Sequence, residues 1–257
     1  MKVYCSLTSE QATLYQAVVE QMMQMIEGSE GIKRKGMVLS TLTRLKQICD
    51  HPSLYLADRS TDLDARSGKL SRIKEMLEEI IEIGENSLVF TQYTSMGLML
   101  KEYLQSSMGC ETFFLHGGLA RKERDMMIER FQEERSSGEH TSPSRVFVLS
   151  IKAGGLGLNL TAANHVFHYD RWWNPAVENQ ATDRAYRIGQ NKHVQVHKLI
   201  STGTVEEKID EMIERKKDLS QRIIQTTGKE EEWFTQMSNE QLRHIFSLSR
   251  DAIVQDK

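Results

Sequence analysis

No CxxC pair occurs in this chain, and its three cysteines, Cys5, Cys49 and Cys110, lie far apart. That excludes a zinc ribbon and argues against a disulfide framework; buried reduced thiols are the simpler expectation. Proline is scarce, at three residues in 257, and there is no low-complexity tract or internal repeat, so an ordered unit is expected. No apolar run approaches the ~20 residues needed to cross a bilayer. The stretch from Met1 to Glu10 lacks the apolar centre of a secretory signal. None of the eight histidines falls in HExxH or another metal-ligand spacing, so no metal site is expected. A large charge excess is missing too. A net charge of -3 argues against a freestanding nucleic-acid binder held by a broad basic surface, so any such contact must be local or shared.

What is present is ordinary in bulk, 39% hydrophobic and 27% charged residues, enough for one large domain or two small ones. The first ~55 residues read as helical. Thr8 to Gln11 offers a capping box, after which Tyr15, Val18, Val19, Met22 and Ile26 recur at helical spacing. Gly28 to Gly31 breaks that helix, and a second carries Val38, Leu42, Leu45 and Ile48 up to His51-Pro52. Residues 56–67 are polar and read as a mobile loop.

From Gly68 the pattern turns to alternating helices and short apolar strands. A helix with Leu70, Ile73, Leu77 and Ile80 leads to the strand Leu88 to Phe90. A helix around Leu100 to Leu104 then precedes the strand Thr112 to Leu115. A helix from Lys122 to Phe131 is followed by Val146 to Leu149, a continuous apolar run expected for a strand buried on both faces. The strand His165 to Tyr169, a helix through Gln180 to Arg187 and the strand Val194 to Ile200 complete the series. Such alternation predicts an α/β fold with a parallel sheet covered by helices on both sides. The tail is helical again, through Val205, Ile209, Met212, Ile213 and Ile223. A second capping box at Ser238 and Gln241 precedes Leu242, Ile245 and Phe246, and packing of terminal helices is the expected role.

The densest chemistry lies in Gln180-Ala181-Thr182-Asp183-Arg184-Ala185-Tyr186-Arg187-Ile188-Gly189-Gln190. On a helix, Gln180, Arg184 and Arg187 at i, i+4 and i+7 share one face, and paired guanidinium groups suit a phosphate. A solvated face with surface ion pairs is the competing reading of two arginines alone. A second feature, Ser150-Ile151-Lys152-Ala153-Gly154-Gly155-Leu156-Gly157-Leu158-Asn159-Leu160-Thr161, follows a buried strand. Its glycines allow close backbone approach to a ligand, and its N–H groups could bind phosphate oxygens. A dinucleotide loop is excluded because Leu160 stands where the third glycine belongs.

Taken whole, these strings resemble motifs VI and V of superfamily-two helicases in their Swi/Snf form. Tyr169-Asp170-Arg171-Trp172-Trp173-Asn174-Pro175 resembles the family's D-x-x-W-N-P element, with at least one tryptophan expected in the core and Pro175 in the first turn of the next helix. Ser87 to Tyr93 resembles motif IV, and Phe114-Leu115-His116-Gly117-Gly118 followed by Arg121 and Arg124 resembles motif IVa. Ser67-Gly68-Lys69-Leu70 matches the signature that opens the helix before motif IV. The resemblance runs from about Lys2 to Thr227.

The resemblance implies a RecA-like second motor lobe at residues 68–203, preceded by a helical protrusion and loop at 1–67 and followed by C-terminal helices at 204–257. It implies arginine fingers at Arg184 and Arg187, with Gln180 beside them, acting on the γ-phosphate of an ATP. Gly155, Gly157 and Asn159 would lie towards that ATP. Thr91, Gln92, His116, Gly117, Ser150, Lys152, Ala153, Gly154, Trp172, Trp173 and Asn174 would face double-stranded DNA. For His116 a hydrogen-bonded structural role stays equally open. Tyr186 stands where many relatives carry histidine. Neither GxxxxGK(S/T) nor a DExH box occurs, so ATP and Mg2+ would be bound mainly by a first lobe outside this chain. The chain therefore reads as part of a longer protein, with no tightly bound cofactor and no ATPase of its own. The expected activity is DNA-dependent ATP hydrolysis coupled to translocation, with a remodelled protein target possible and no membrane partner. The location would be cytoplasmic and nucleoid-associated in a prokaryote, nuclear in a eukaryote. Two other readings remain at this stage: a non-catalytic module that docks DNA or protein, and the lobe of a strand-separating helicase.

Overall fold

The computed structural model describes the chain apart from residues 59, 61, 64, 134–143, 152–157, 173–174, 187–189, 191, 220–231 and 253–257, and apart from the side chains of 215–219, 232–233 and 250. Along the chain run β1 (Lys2–Cys5), α1 (Ser9–Ile26), α2 (Gly31–Asp50), α3 (Pro52–Leu56), α4 (Gly68–Glu82), β2 (Ser87–Thr91) and α5 (Thr94–Met108). Then come β3 (Glu111–Leu115), α6 (Arg121–Gln132), β4 (Arg145–Ser150), β5 (His165–His168) and α7 (Pro175–Thr182). The series ends with β6 (Gln195–Ser201), α8 (Val205–Leu219) and α9 (Asn239–Phe246). Two compact units emerge: Met1–Val3 with Arg72–Leu199, and Tyr4–Ser71 with Ile200–Lys257.

The first unit is built on a parallel six-stranded sheet in the order β1-β6-β5-β2-β4-β3. Its central strands β2, β4 and β5 are buried along their whole length, which is why β2 and β4 carry the continuous apolar runs Leu88–Phe90 and Val146–Leu149, while β5 sets Val166 and Phe167 between two buried histidines. Register aligns Leu88 with Phe147 and Phe90 with Leu149, so these four share a face. That face packs with Phe131 of α6 and Ala181 of α7. On the opposite face Phe114 aligns with Val148, and α5 lies so close that a Cβ at Gly97 would sit 2.2 Å from the Phe114 ring.

The second unit gathers helices. Thr8 Oγ1 accepts the Gln11 N–H (3.2 Å) and Gln11 Oε1 accepts the Thr8 N–H (3.1 Å), the reciprocal capping box expected at the start of α1. The apolar stripes of α1 and α2 are buried as their spacing predicts. Lys69 Nζ lies 2.9 Å from Asp50 Oδ1 and 2.8 Å from Glu206 Oε1, all three side chains being fully buried. Burial alone would lower the Lys69 pKa; the two carboxylates outweigh it and hold the ammonium charged, with its pKa raised.

Three expectations need correction. Residues 2–5 form an edge strand rather than part of a helical region. The helix α3 is an additional element, started by Pro52. The helix expected through Arg187 ends at Thr182. Of the tail stripe, Val205, Ile209 and Ile213 are buried in α8, whereas Ile223 lies outside the described residues.

Candidate functional site

In an open parallel sheet, ligands gather beyond the carboxyl ends of the strands, where successive connections leave in opposite directions. β2 sends its chain towards β3, while its neighbour β5 sends its chain towards β6. Thr91 and Ser150 are paired in register at that edge, His116 follows β3, and Asp170 and Arg171 follow β5. The parallel alternation thus brings strand-end motifs that are far apart in sequence to one rim.

Asp170 organises the rim. This fully buried carboxylate accepts from Thr91 Oγ1 (2.6 Å), from the Gln92 N–H (3.0 and 3.1 Å) and from Gln92 Nε2 (2.7 Å). Gln92 Nε2 also donates to the Arg171 carbonyl at 2.8 Å. Thr91 and Gln92 were expected to offer polar groups to DNA. Thr91 is instead fully buried, and its hydroxyl, like the Gln92 amide, is engaged with Asp170. The sequence signal for Asp170 was a lone carboxylate between a buried strand and two tryptophans.

A second carboxylate, Glu178 of α7, is also fully buried. It lies 3.3 Å from Arg171 Nε, accepts the Trp172 N–H at 3.1 Å and pairs with Lys198 Nζ at 2.6 Å. Burial would raise the Glu178 pKa, but the charges of Arg171, His168 and Lys198 overcome this and lower it. His168, stacked on Phe90, bonds Thr182 Oγ1 at 3.0 Å, and burial pushes its pKa down to about 4. Helix α7 is therefore fixed to the sheet by polar contacts at both ends, and Gln180 on it is exposed.

The arginine segment departs from the helical expectation. Arg184 N–H bonds the Ala181 carbonyl and Ala185 N–H the Thr182 carbonyl, a tighter three-residue spacing. The Arg184 carbonyl accepts the Leu160 N–H at 3.0 Å, a contact with a segment distant in sequence. Gln180 lies on α7, whereas Arg184 lies beyond the end of that helix. Arg184, expected to project, is 6% exposed, and Arg187 lies outside the described residues.

Asn159, by contrast, is exposed directly beside the Leu160–Arg184 bond. Ser150 is buried at the end of β4. His116 Nδ1 accepts the Gly118 N–H at 3.2 Å and its ring packs on Phe114, the structural role left open for it, while Gly117 is exposed. Trp172 is half-buried against the core that includes Phe90 and Leu149. Lys152, Ala153, Gly154, Gly155, Gly157, Trp173 and Asn174 lie outside the described residues. Arg121, part of the motif IVa string, and Lys122, which sequence reasoning did not single out, are exposed cations in the first turn of α6 just after the His116 turn. Among the described residues no group of three or more His, Cys, Asp or Glu is arranged to hold a metal ion.

The sequence model of the helicase conserved C-terminal domain matches residues 68–189. A putative ATP-dependent helicase/translocase, YwqA, of Bacillus subtilis is 50% identical over 252 residues, covering 98% of this chain and 26% of that protein. The chain thus spans about a quarter of that curated relative. The Sulfolobus solfataricus SWI2/SNF2 ATPase core in complex with dsDNA superposes with a TM-score of 0.82 at 44% identity, over 97% of this chain and 50% of that one. The C-terminal domain of the same Sulfolobus ATPase gives a TM-score of 0.79 at 45% identity, over 97% of this chain and 98% of that one. With near-complete mutual coverage at that identity, this chain belongs to the SWI2/SNF2 ATPases, as their C-terminal domain.

Proposed function

We propose that this chain is the second motor lobe of an ATP-driven translocase on double-stranded DNA, working with a first lobe that holds ATP. The observation that carries this reading is the bond between Leu160 N–H and the Arg184 carbonyl. It joins the exit of the glycine turn to the arginine segment at the sheet edge where ligands gather. In this reading the backbone of the glycine-rich segment, Gly117 and the cations Arg121 and Lys122 meet DNA phosphates, which carry no base information. Trp172 supports that surface from beneath. Asp170 keeps Thr91 and Gln92 in place instead of leaving them to touch DNA.

Arg187 is assigned to the γ-phosphate when the lobes close. There a guanidinium stabilises charge in the phosphoryl-transfer transition state. Arg184, buried and bonded through its carbonyl, is assigned to shaping that segment, with Gln180, Gly155, Gly157 and Asn159 on the nucleotide side. The described residues offer no carboxylate cluster suited to magnesium, so no step is assigned to that ion on this lobe.

The test uses the full-length enzyme. Arg187→Ala should abolish DNA-stimulated ATP hydrolysis, a loss of about a thousandfold, while ATP binding persists. Retention of more than about a tenth of the wild-type rate would remove the finger assignment. The isolated chain should hydrolyse no ATP. Duplex translocation without opening a forked substrate supports the assignment, and unwinding of the fork would make this the lobe of a strand-separating helicase.

A further inference from the structure

Residues 158–164, which follow the glycine-rich segment, lie outside any helix or strand, so their peptide groups need other partners. Residues 160–163 show how they are satisfied. The Ala162 N–H donates to Gln132 Oε1 at 2.8 Å, and the Ala162 carbonyl accepts Asn86 Nδ2 at 3.2 Å. The carbonyls of Thr161 and Ala163 both accept Gln190 Nε2, at 3.1 and 2.8 Å. The same Gln190 nitrogen reaches the Ala185 carbonyl at 3.3 Å. One amide thus spans the segment leaving the glycine turn and the segment carrying Arg184, beside the Leu160–Arg184 bond. Its other atom is used as well, since Gln190 Oε1 accepts the Lys192 N–H at 2.9 Å.

We infer that Gln190 is a positioning residue that couples the DNA-facing turn to the nucleotide-facing arginine segment, so that a shift of one is felt by the other. The inference rests on the motor reading above and names a residue that reading did not require. Only an amide suits the place. Two N–H donors serve three carbonyls on one side, while an acceptor on the same group serves Lys192. A carboxylate of the same shape would set oxygen against oxygen at all three. An alanine would leave these carbonyls without this donor, removing the side-chain link between the two segments that Gln190 provides beside the Leu160–Arg184 bond.

The experiment compares wild type, Gln190→Ala and Gln190→Glu in the full-length enzyme, measuring DNA-stimulated kcat, KM for ATP and base pairs moved per ATP. Misplacing a reacting group without removing it is expected to lower kcat about ten- to hundredfold. KM for ATP should change less than about twofold, because the first lobe still binds the nucleotide. The distance moved per ATP should fall, since the turn and the arginines no longer move together. Hydrogen exchange at the Leu160 amide should speed up in both variants. The inference is overturned if, per folded molecule, kcat and base pairs per ATP stay at wild-type values. It is also overturned if the loss of kcat tracks only a loss of folded protein on thermal melting. Absence of DNA-stimulated hydrolysis in the wild type would instead overturn the motor reading, so the two failures are distinguishable.

Discussion

Lys69 shows what a short sequence signature can encode. In Ser67-Gly68-Lys69, Ser67 Oγ donates to the Asp50 carbonyl (2.7 Å) and accepts the Leu70 N–H (3.2 Å), starting α4 while holding the end of α2. The ammonium of Lys69 then bonds Asp50 and Glu206, and Glu206 in turn accepts the Ser201 N–H at 3.0 Å. A charge buried this deeply persists only with its partners. Removing one partner leaves the others costly, whereas replacing the whole set with neutral groups of similar size is cheap. Lys69→Met should therefore lower unfolding stability by about 3–5 kcal/mol. Adding Asp50→Asn and Glu206→Gln to it should recover most of that loss. Urea unfolding midpoints of the chain check both steps. A single variant within about 1 kcal/mol of wild type would mean the cluster contributes little. The signature Ser67-Gly68-Lys69-Leu70 marks the helix start in the sequence, but nothing local reveals that Asp50 and Glu206 close around Lys69.

At the scale of elements, most of the architecture could be read from periodicity and caps. The boundaries of α1, α2 and α4, the order of strands β2 to β6 and both capping boxes follow from side-chain spacing, since each depends on residues a few positions apart. The departures share a physical cause. β1 is four residues long and bonds β6, where the Lys198 N–H meets the Met1 carbonyl. So short a strand, with its partner almost 200 residues away, leaves no local pattern. Helix α7 ends at Thr182, after which Arg184 and Ala185 make three-residue bonds and their carbonyls meet Leu160 and Gln190, contacts that no helical spacing foretells. The motif residues were legible as a set, but whether a given side chain faces DNA or Asp170 was not, because Asp170 reaches Thr91 only across the sheet.

Glycine offers an element-scale test. A Cβ at Gly68 would lie 1.8 Å from the Ser6 carbonyl oxygen, a backbone atom that cannot step aside. Gly36, inside α2, has nothing within 4 Å of such a Cβ. Alanine favours a helix by about 0.8–1 kcal/mol over glycine, so Gly36→Ala should stabilise the chain by up to that amount. Gly68→Ala should instead destabilise it by about 3 kcal/mol, as overpacking outweighs propensity. Thermal melts of the two variants, moving in opposite directions, check the close approach of α4 to the chain at Ser6.

For the molecule as a whole, response to acid follows from groups concentrated in the sheet-bearing unit, where proton uptake is linked to unfolding. His168 and His197 are both buried, and burial, the leading cause, pushes each pKa down from 6.5 to about 4; for His197 the charge of His165 adds to it. An unfolded chain binds these protons near pH 6.5 and the folded chain only near pH 4. Stability is therefore lost as pH falls through that window, by up to about 3 kcal/mol for each fully buried ring. Glu85 acts lower. Burial would raise its pKa, yet bonds from Asn164, His165 and Lys192 bring it from 4.5 down to about 2, so its contribution holds above pH 4.5 and fades towards pH 2. His197 isolates the histidine component. Neither of its ring nitrogens has a hydrogen-bond partner, and it stacks on Phe167 with ring centroids 4.6 Å apart. His197→Phe keeps the stack while removing the buried polar atoms and the proton-binding site. It should raise stability at neutral pH and flatten the loss between pH 6.5 and 4 by up to one proton's worth of slope. Urea unfolding of both proteins across pH 4 to 7.5 measures that difference. Parallel curves would show that His197 takes up no proton on unfolding, leaving acid sensitivity in that window to His168 and to His51, whose pKa burial also lowers.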